Sequence, residues 1–569
     1  MTDNGTPGLR ETGSLGSTLR RGAVLSAVAL VIVQTVSFLQ TLVIARLLSP
    51  AEIGIFAAGT VLTSFLITFS EGGLRHALIQ HDGDVEEVAN TVFWATIVTG
   101  ALMSALMLAA SPFVAMVFDS ETAGLIAAIT SGTLLLHAFT NVPDSLMQRR
   151  FDFRRRLIVD PGVAISFAGT SVVLCSSGYG IWGLVIATYA SHVVWIASTW
   201  GLARWRPGGA RPSYRLWRRL ARFALPMVLD GFVERIREVI ETVVVGRGLS
   251  ESALGQYRYG RRMAMLPGVA IVQICSYVLF PAFSRIAGEA DRLRSAFLRA
   301  LGWIWFASVP VAFLLVALGE PMVVVLLGER WREAGVLLVA MAGYGLGEAM
   351  NSVSAEAMKG AGRSDRLNWM TLTGFVAGIG LLLLLLPLGL AGVGLAVTLT
   401  SVLVGGTGLS LARSVVGVSI RDLMRELVPP VLCALAALAV VGSLEHRLVH
   451  SDERPIPAAL GLLAAESVAF ALVYLASIRM VAPDRIGILR SGLRSLLARC
   501  RQHAETGAVV PDDDPAAPLT PAPSLGSTAD PGARNVTTSS PDILDRRTRS
   551  SAGGAAGRRE GPNEHRTEQ

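Results

Sequence analysis

Apolar runs long enough to cross a bilayer recur along most of the chain. They fall at about residues 23–46, 51–70, 90–111, 122–141, 157–177 and 180–203. After an arginine-rich linker they resume at 220–247, 254–283, 297–318, 333–357, 368–386 and 389–411, with two more at 427–444 and 456–478. Most approach the roughly 20 residues that a spanning helix needs. The pattern predicts an all-α, polytopic membrane protein of about fourteen transmembrane helices. The runs at 122–141 and 333–357 are the least uniformly apolar.

One run breaks the pattern. Between Leu220 and Arg247 an otherwise apolar stretch carries Asp230, Glu234, Arg235, Arg237, Glu238 and Glu241. At about 100° per residue all but Arg235 fall within one helix face about 100° wide. Each charge costs about 2.5–3.5 kcal/mol at the centre of a spanning helix, so six facing lipid would cost on the order of 15–20 kcal/mol. The stripe is therefore expected to turn inward, toward a wet cavity or other charges, where intramembrane ionisable residues mark a transport path.

An internal repeat organises the rest. Val43–Phe56 reads VIARLLSPAEIGIF and Val244–Tyr257 reads VVGRGLSESALGQY, aligned without gaps at an offset of 201 with Val, Arg, Leu, Ser and Gly identical. Gly180 and Gly183 echo Gly389 and Gly392 at the openings of the sixth and twelfth runs. An even number of spans per repeat gives both copies the same membrane orientation. The expected architecture is two pseudo-symmetric six-helix lobes, 20–211 and 212–420, followed by two additional helices in 421–480. A disordered segment 1–19 precedes them, and a mostly disordered cytoplasmic tail, 481–569, follows. Arginine placement sets the orientation. The loops 149–156, 204–222, 285–299 and 359–366 are basic, whereas 112–121, 178–179 and 387–388 lack Lys and Arg, so both termini are expected in the cytoplasm. The loop 71–89, with Arg75 against Asp82, Asp84, Glu86 and Glu87, is the exception.

Composition agrees: 51% of the 569 residues are hydrophobic and only 16% charged, with a mean hydropathy of +0.51, outside the range of soluble domains. The net charge of +7 comes almost wholly from arginine, Lys359 being the only lysine. Arginine's fork suits phosphate, and a GC-rich genome gives the same bias. The four cysteines are widely spaced and match no disulfide or metal pattern.

In an antiparallel hairpin turning near Ser250, Glu241 and Arg258 lie at similar depth, as do Glu238 and Arg261 or Arg262. Arg258, Arg261 and Arg262 share a face at i, i+3 and i+4. Two readings stand side by side: a phosphate clamp, joined by Arg237, and counter-ions for the acidic stripe. Asp230, Glu234, Glu238 and Glu241 are candidates for an ion-coupling site, Asp230 and Glu234 being farthest from the arginines. Gln34, Ser37 and Thr41 line one face of the first run, and Gln34, Ser37 and Gln40 align by the 201 offset with Arg235, Glu238 and Glu241. Glu348, Asn351, Glu356, His137, Asn141 and His192 are further intramembrane polar residues, with Glu356 expected near the inner interface and solvated and His192 as a satisfied bundle histidine. No P-loop, HExxH or GxSxG occurs, and the longest predicted outer loop, about 319–332, is short for a membrane glycosyltransferase or polymerase. A transporter is expected rather than an enzyme, without metal, cofactor or nucleic-acid partner.

The order and spacing of LLSPAEIGIFA from Leu47, GGLRHALIQ from Gly72, VFW at Val92, QRRFDFRRR from Gln148, FALPM from Phe223, VVVGRGLSESALGQY from Val243 and LPGVAIVQICSYVLFPAFSRI from Leu266 resemble one known family. It is the polysaccharide exporter and oligosaccharide flippase branch of the multidrug/oligosaccharidyl-lipid/polysaccharide superfamily, and the likeness runs over about residues 21–480. The chain departs from that branch in the density of acids in the seventh run. The resemblance implies alternating access by two lobes. It also implies a polyprenyl-diphosphate-linked oligosaccharide as substrate, and a place in the cytoplasmic membrane beside membrane lipids and a polysaccharide polymerase or glycosyltransferases. A multidrug antiporter acting on cationic compounds and a flippase for a peptidoglycan precursor are the alternatives within the fold.

Overall fold

Backbone amides inside a bilayer must be satisfied within each segment, which leaves the helix as the natural solution for an apolar chain. The computed structural model describes residues 12–71, 73–80, 84–150, 152–209 and 211–481. Among them it has seventeen α-helices and no strand. They are α1 Thr12–Leu47, α2 Pro50–Glu71, α3 Leu74–Gln80, α4 Val85–Phe118, α5 Glu121–Thr130, α6 Gly132–Arg149, α7 Phe153–Leu174, α8 Ile181–Ala203 and α9 Tyr214–Gly248. The rest are α10 Glu251–Arg285, α11 Ala290–Leu327, α12 Arg332–Ala340, α13 Tyr344–Gly360, α14 Leu367–Leu385, α15 Gly389–Val416, α16 Ile420–Leu444 and α17 Ile456–Val481.

Every polar or glycine identity of the repeat has a job at the seam between α1–α8 and α9–α15. Ser49 and Ser250 cap α2 and α10: the Ser49 hydroxyl accepts from the Glu52 amide at 3.3 Å, and that of Ser250 from the Ala253 amide at 3.0 Å. Glu52 returns the bond to the Ser49 amide at 2.9 Å, closing a capping box. Arg46 reaches across to the carbonyls that end α11, bonding Val325 at 2.6 Å and Leu326 at 3.2 Å. Arg247 reaches the other way, 3.5 Å from Asp119, the residue that caps the end of α4. Both arginines thus place positive charge at the negative end of a helix in the opposite set. Where α2 crosses α10, a methyl group at Gly54 would strike the Glu251 carbonyl and one at Gly255 the Pro50 carbonyl. These partners are themselves related by the same offset of 201. Trp331 closes the seam beside them, its indole N–H donating to the Ala45 carbonyl at 2.8 Å.

The second echo is conformational. Gly180, with φ 55° and ψ −136°, and Gly389, with φ 67° and ψ −149°, sit in a backbone region open only to glycine and start α8 and α15 by the same sharp turn. The turn at Gly389 folds α15 back along α14, so that Gly374 faces Val404 and Gly378 faces Thr400. Between the two sets the linker is fastened to α4: Asn90 accepts from the Gly208 amide at 3.2 Å, and Thr91 from the Ser213 amide at 3.1 Å.

Among the described residues ten segments are long and apolar enough to cross a membrane, or up to eleven if a bent pair is one span. That pair is Glu329–Ala340 with Tyr344–Gly360, bent by 42°. The segment Ser364–Val416 contains the whole α14–α15 hairpin, while α9 and α10 are not among the ten; their charges explain why. The expected run at 122–141 is likewise two helices, α5 and α6, meeting at Ser131. Two boundaries differ from expectation. Residues 12–19 are helical, because extending an established helix by a turn costs far less than starting one. The predicted outer loop 319–332 is mostly the end of α11 and a single turn at Glu329–Trp331. Asp82, residues 1–11 and the tail beyond 481 lie outside the described residues.

Replacing Gly255 with alanine is expected to destabilise the protein by at least about 1–3 kcal/mol through overpacking. Gly380→Ala, at a helical position with nothing within 4 Å, is expected to be neutral or stabilising by up to about 1 kcal/mol. Equal melting temperatures for the two purified variants would contradict the close crossing.

Candidate functional site

The charged face of α9 separates two cavities, each of about 360 Å³. Glu234 and Arg237 line the first, with Met265 of α10, Tyr344, Glu348 and Asn351 of α13, Thr371 of α14 and Thr400 and Ser401 of α15. Glu238 and Thr242 line the second, with Tyr257, Arg258, Arg261 and Arg262 of α10, Gln40 of α1 and Phe167 of α7. Glu241 stands between them with 4% of its surface exposed. The described members of the stripe, Glu234, Arg237, Glu238 and Glu241, therefore face inward. Arg235, off the stripe, is exposed and pairs with Glu238 at 2.7 Å.

Glu241 is the hub of an ion-pair ladder. One carboxylate oxygen accepts from Arg237 at 2.6 Å; the other accepts from the Tyr257 hydroxyl at 3.0 Å and pairs with Arg261. Arg237 extends the ladder to Glu234, the Nε bond measuring 3.1 Å, and Arg261 also bonds the Tyr257 hydroxyl. A buried carboxylate flanked by two guanidinium groups and a hydroxyl is fully satisfied, which makes such a charge tolerable in a low-dielectric bundle.

The three arginines of α10 divide by one position of helical rotation. Tyr257 and Arg261, four residues apart, face α9 and bind Glu241. Arg258 and Arg262, also four apart, present exposed guanidinium groups to the second cavity. Arg258 makes no ion pair with a described carboxylate, and Arg262 donates to the Ser37 backbone carbonyl at 3.3 Å. The expected depth pairing of Glu241 with Arg258 is thus replaced by Glu241 with Arg261, because the long guanidinium arm reaches past a helical turn. Arg237 belongs to the ladder rather than to the set of free cations.

The first set contributes Gln40, which lines the second cavity and donates to the Ser171 hydroxyl at 3.4 Å. Ser37 meets Arg262 through its carbonyl alone, and Gln34, half-buried three residues earlier, is not among the cavity-lining residues. Asp230 lies on α9, and its side chain falls outside those described. Glu356 is buried and paired with Lys359 at 3.0 Å rather than solvated. His192 bonds the Thr188 carbonyl at 2.8 Å and stands beside His137 and Trp195. Among the described residues no three His, Cys, Asp or Glu side chains gather as metal ligands do.

The chain is thus a many-helix bundle with two interior cavities of about 360 Å³, each lined by charged side chains. Solved structures of this shape include the lipid II flippase MurJ in an inward closed conformation. It matches 81% of this chain and all of its own at a TM-score of 0.67 and 16% identity. An inward-facing multidrug resistance MATE family transporter of the MOP superfamily matches 68% of this chain and 94% of its own at a TM-score of 0.58 and 17% identity. The chain belongs to the polysaccharide biosynthesis protein family, whose model matches residues 43–335. The succinoglycan biosynthesis transport protein ExoT of Rhizobium meliloti (strain 1021) is 29% identical over 349 residues, 60% of this chain and 69% of the relative.

Removing the hub is expected to be costly. Glu241→Gln leaves Arg261 buried without a carboxylate, while Arg237 keeps Glu234, and should destabilise the purified protein by roughly 3–5 kcal/mol. Arg258→Gln breaks no pair and should change stability by less than about 0.5 kcal/mol. Chemical or thermal unfolding of both variants distinguishes a ladder member from a free cation.

Proposed function

We propose that this chain moves a polyprenyl-diphosphate-linked oligosaccharide, or a related polysaccharide precursor, across the cytoplasmic membrane by alternating access. Family membership and the likeness to a succinoglycan transport protein support the substrate class. The observation that carries the reading is the pair Arg258 and Arg262, turned into the second cavity without carboxylate partners. A diphosphate is the group that two free forks best recognise, since guanidinium binds phosphate oxygens bidentately. The ladder supplies the contrast: Arg237 and Arg261 are already paired with the carboxylates of Glu234 and Glu241, and Arg261 with Tyr257 holds α10 to α9.

In this reading residues 20–211 and 212–420 are two lobes of six crossings, and 421–480 adds two more, for fourteen in all. The Gly54–Gly255 crossing is the pivot on which the lobes rock. Both termini are cytoplasmic, and a polymerase or glycosyltransferases work beside the transporter. The first cavity is the coupling site, where Glu234 and Glu348 take a proton or sodium ion. That acidic lining also favours a second reading, an antiporter that exports cationic compounds, and the MATE-like fold is compatible with it.

In proteoliposomes, Arg258→Gln and Arg262→Gln are each expected to slow flipping of a fluorescent polyprenyl-diphosphate glycan about 10- to 100-fold. Hydrogen bonds to charged groups contribute about 1.5–3 kcal/mol, and 1.4 kcal/mol is a factor of ten. Normal rates in both would reject the clamp. Deletion of the protein should accumulate a lipid-linked oligosaccharide on the inner leaflet; altered sensitivity to cationic drugs without that accumulation would favour the antiporter. Glu234→Gln and Glu348→Gln should abolish the response of transport to an imposed ion gradient while leaving glycan binding intact.

A further inference from the structure

The last two helices hold an acid pair that neither cavity uses. Glu466 lies on the buried face of α17 between Leu463 and Phe470, with 3% of its surface exposed. Both of its carboxyl oxygens are buried and without a hydrogen-bond partner. Beside it is Glu445, at the end of α16 and 2% exposed. Glu445 is well provided for: one oxygen accepts from the Ser451 amide at 2.8 Å and the other from the Ser451 hydroxyl at 2.9 Å.

Two facing carboxylates cannot both ionise in such a place, since like charges in contact and away from water disfavour the doubly charged state. No described cation neutralises them. Arg332, which ties the turn at Ser451–Glu453 to the rest of the bundle, is taken up by Glu320 at 2.8 Å, Glu329 at 2.7 Å and Asp452 at 2.8 Å. His446, Arg447 and His450 on the same turn are exposed. A carboxylate that already accepts two bonds keeps lone pairs for a third.

We propose that Glu445 and Glu466 form a binding site for one proton, carried on Glu466 and donated to the Glu445 carboxylate, which fastens α17 to α16. The site stands apart from the charged seam of α9 and does not depend on the substrate reading. It gives the α16–α17 pair a link that exists only while the proton is held. Loss of the proton sets two negative charges against each other and loosens the hairpin.

The test is infrared difference spectroscopy on the full-length protein in lipid nanodiscs at neutral pH. Wild type minus Glu466→Gln should contain the carbonyl stretch of one hydrogen-bonded neutral carboxylic acid, shifting when the solvent is changed to D2O. Should the glutamine variant not be recovered folded, Glu466→Leu serves for the same subtraction. Thermal unfolding gives an independent readout: wild type should lose stability as the pH is raised from neutral to alkaline, and Glu466→Gln, whose amide donates permanently, should lack that loss. A difference spectrum without the neutral-acid band overturns the proposal, as does the same pH profile in wild type and Glu466→Gln.

Discussion

A charge inside a bilayer has to be compensated, and one carboxylate does most of that compensating here. Glu241 accepts from Arg237, Arg261 and Tyr257 at once. Without it, the Arg261 guanidinium would be stranded in the bundle and Arg237 left with Glu234 alone, at a cost greater than most single packing contacts can offset. Because Glu241 is satisfied by α9 and α10 alone, those helices form a rigid pair. The polar faces left over, Glu234 on one side and Glu238 with Arg258 and Arg262 on the other, become the walls of separate cavities. The site is thus a by-product of the same pairing that makes the helices tolerable in lipid.

The repeat adds a second layer to this logic. Short matches in long apolar chains are usually dismissed because leucine and valine recur by chance. Here the identities that matter are the polar ones and glycine: each serine caps a helix, each arginine crosses to a helix end in the other set, and each glycine lets the same two helices touch. The motif performs the same three tasks twice, once from each side of one seam. The paired turns at Gly180 and Gly389 repeat the point in backbone angles.

Much of this was legible in the chain itself. Helical periodicity was enough to place Glu234, Arg237 and Glu241 on one inward face, since that inference needs only the angle per residue and the cost of charge in lipid. Which arginine meets which acid was not, because arginine's reach exceeds a helical turn and the decision between Arg258 and Arg261 rests on about 60° of rotation about α10. Breaks inside apolar runs, such as those between α5 and α6 or α12 and α13, left only a dip in uniformity. Glu466 was missed altogether: a single acid hardly changes the hydropathy of a long run, and its partner, Glu445, lies beyond the end of the preceding one.

The fastened linker sets a limit on how the two sets can separate. With Gly208 and Ser213 tied to Asn90 and Thr91 of α4, the connection is not a slack leash that absorbs displacement. Ser213 is also the residue that caps α9, accepting from the Leu216 amide at 3.4 Å. Any load the linker carries therefore passes straight into α9, the rod that bears Glu241.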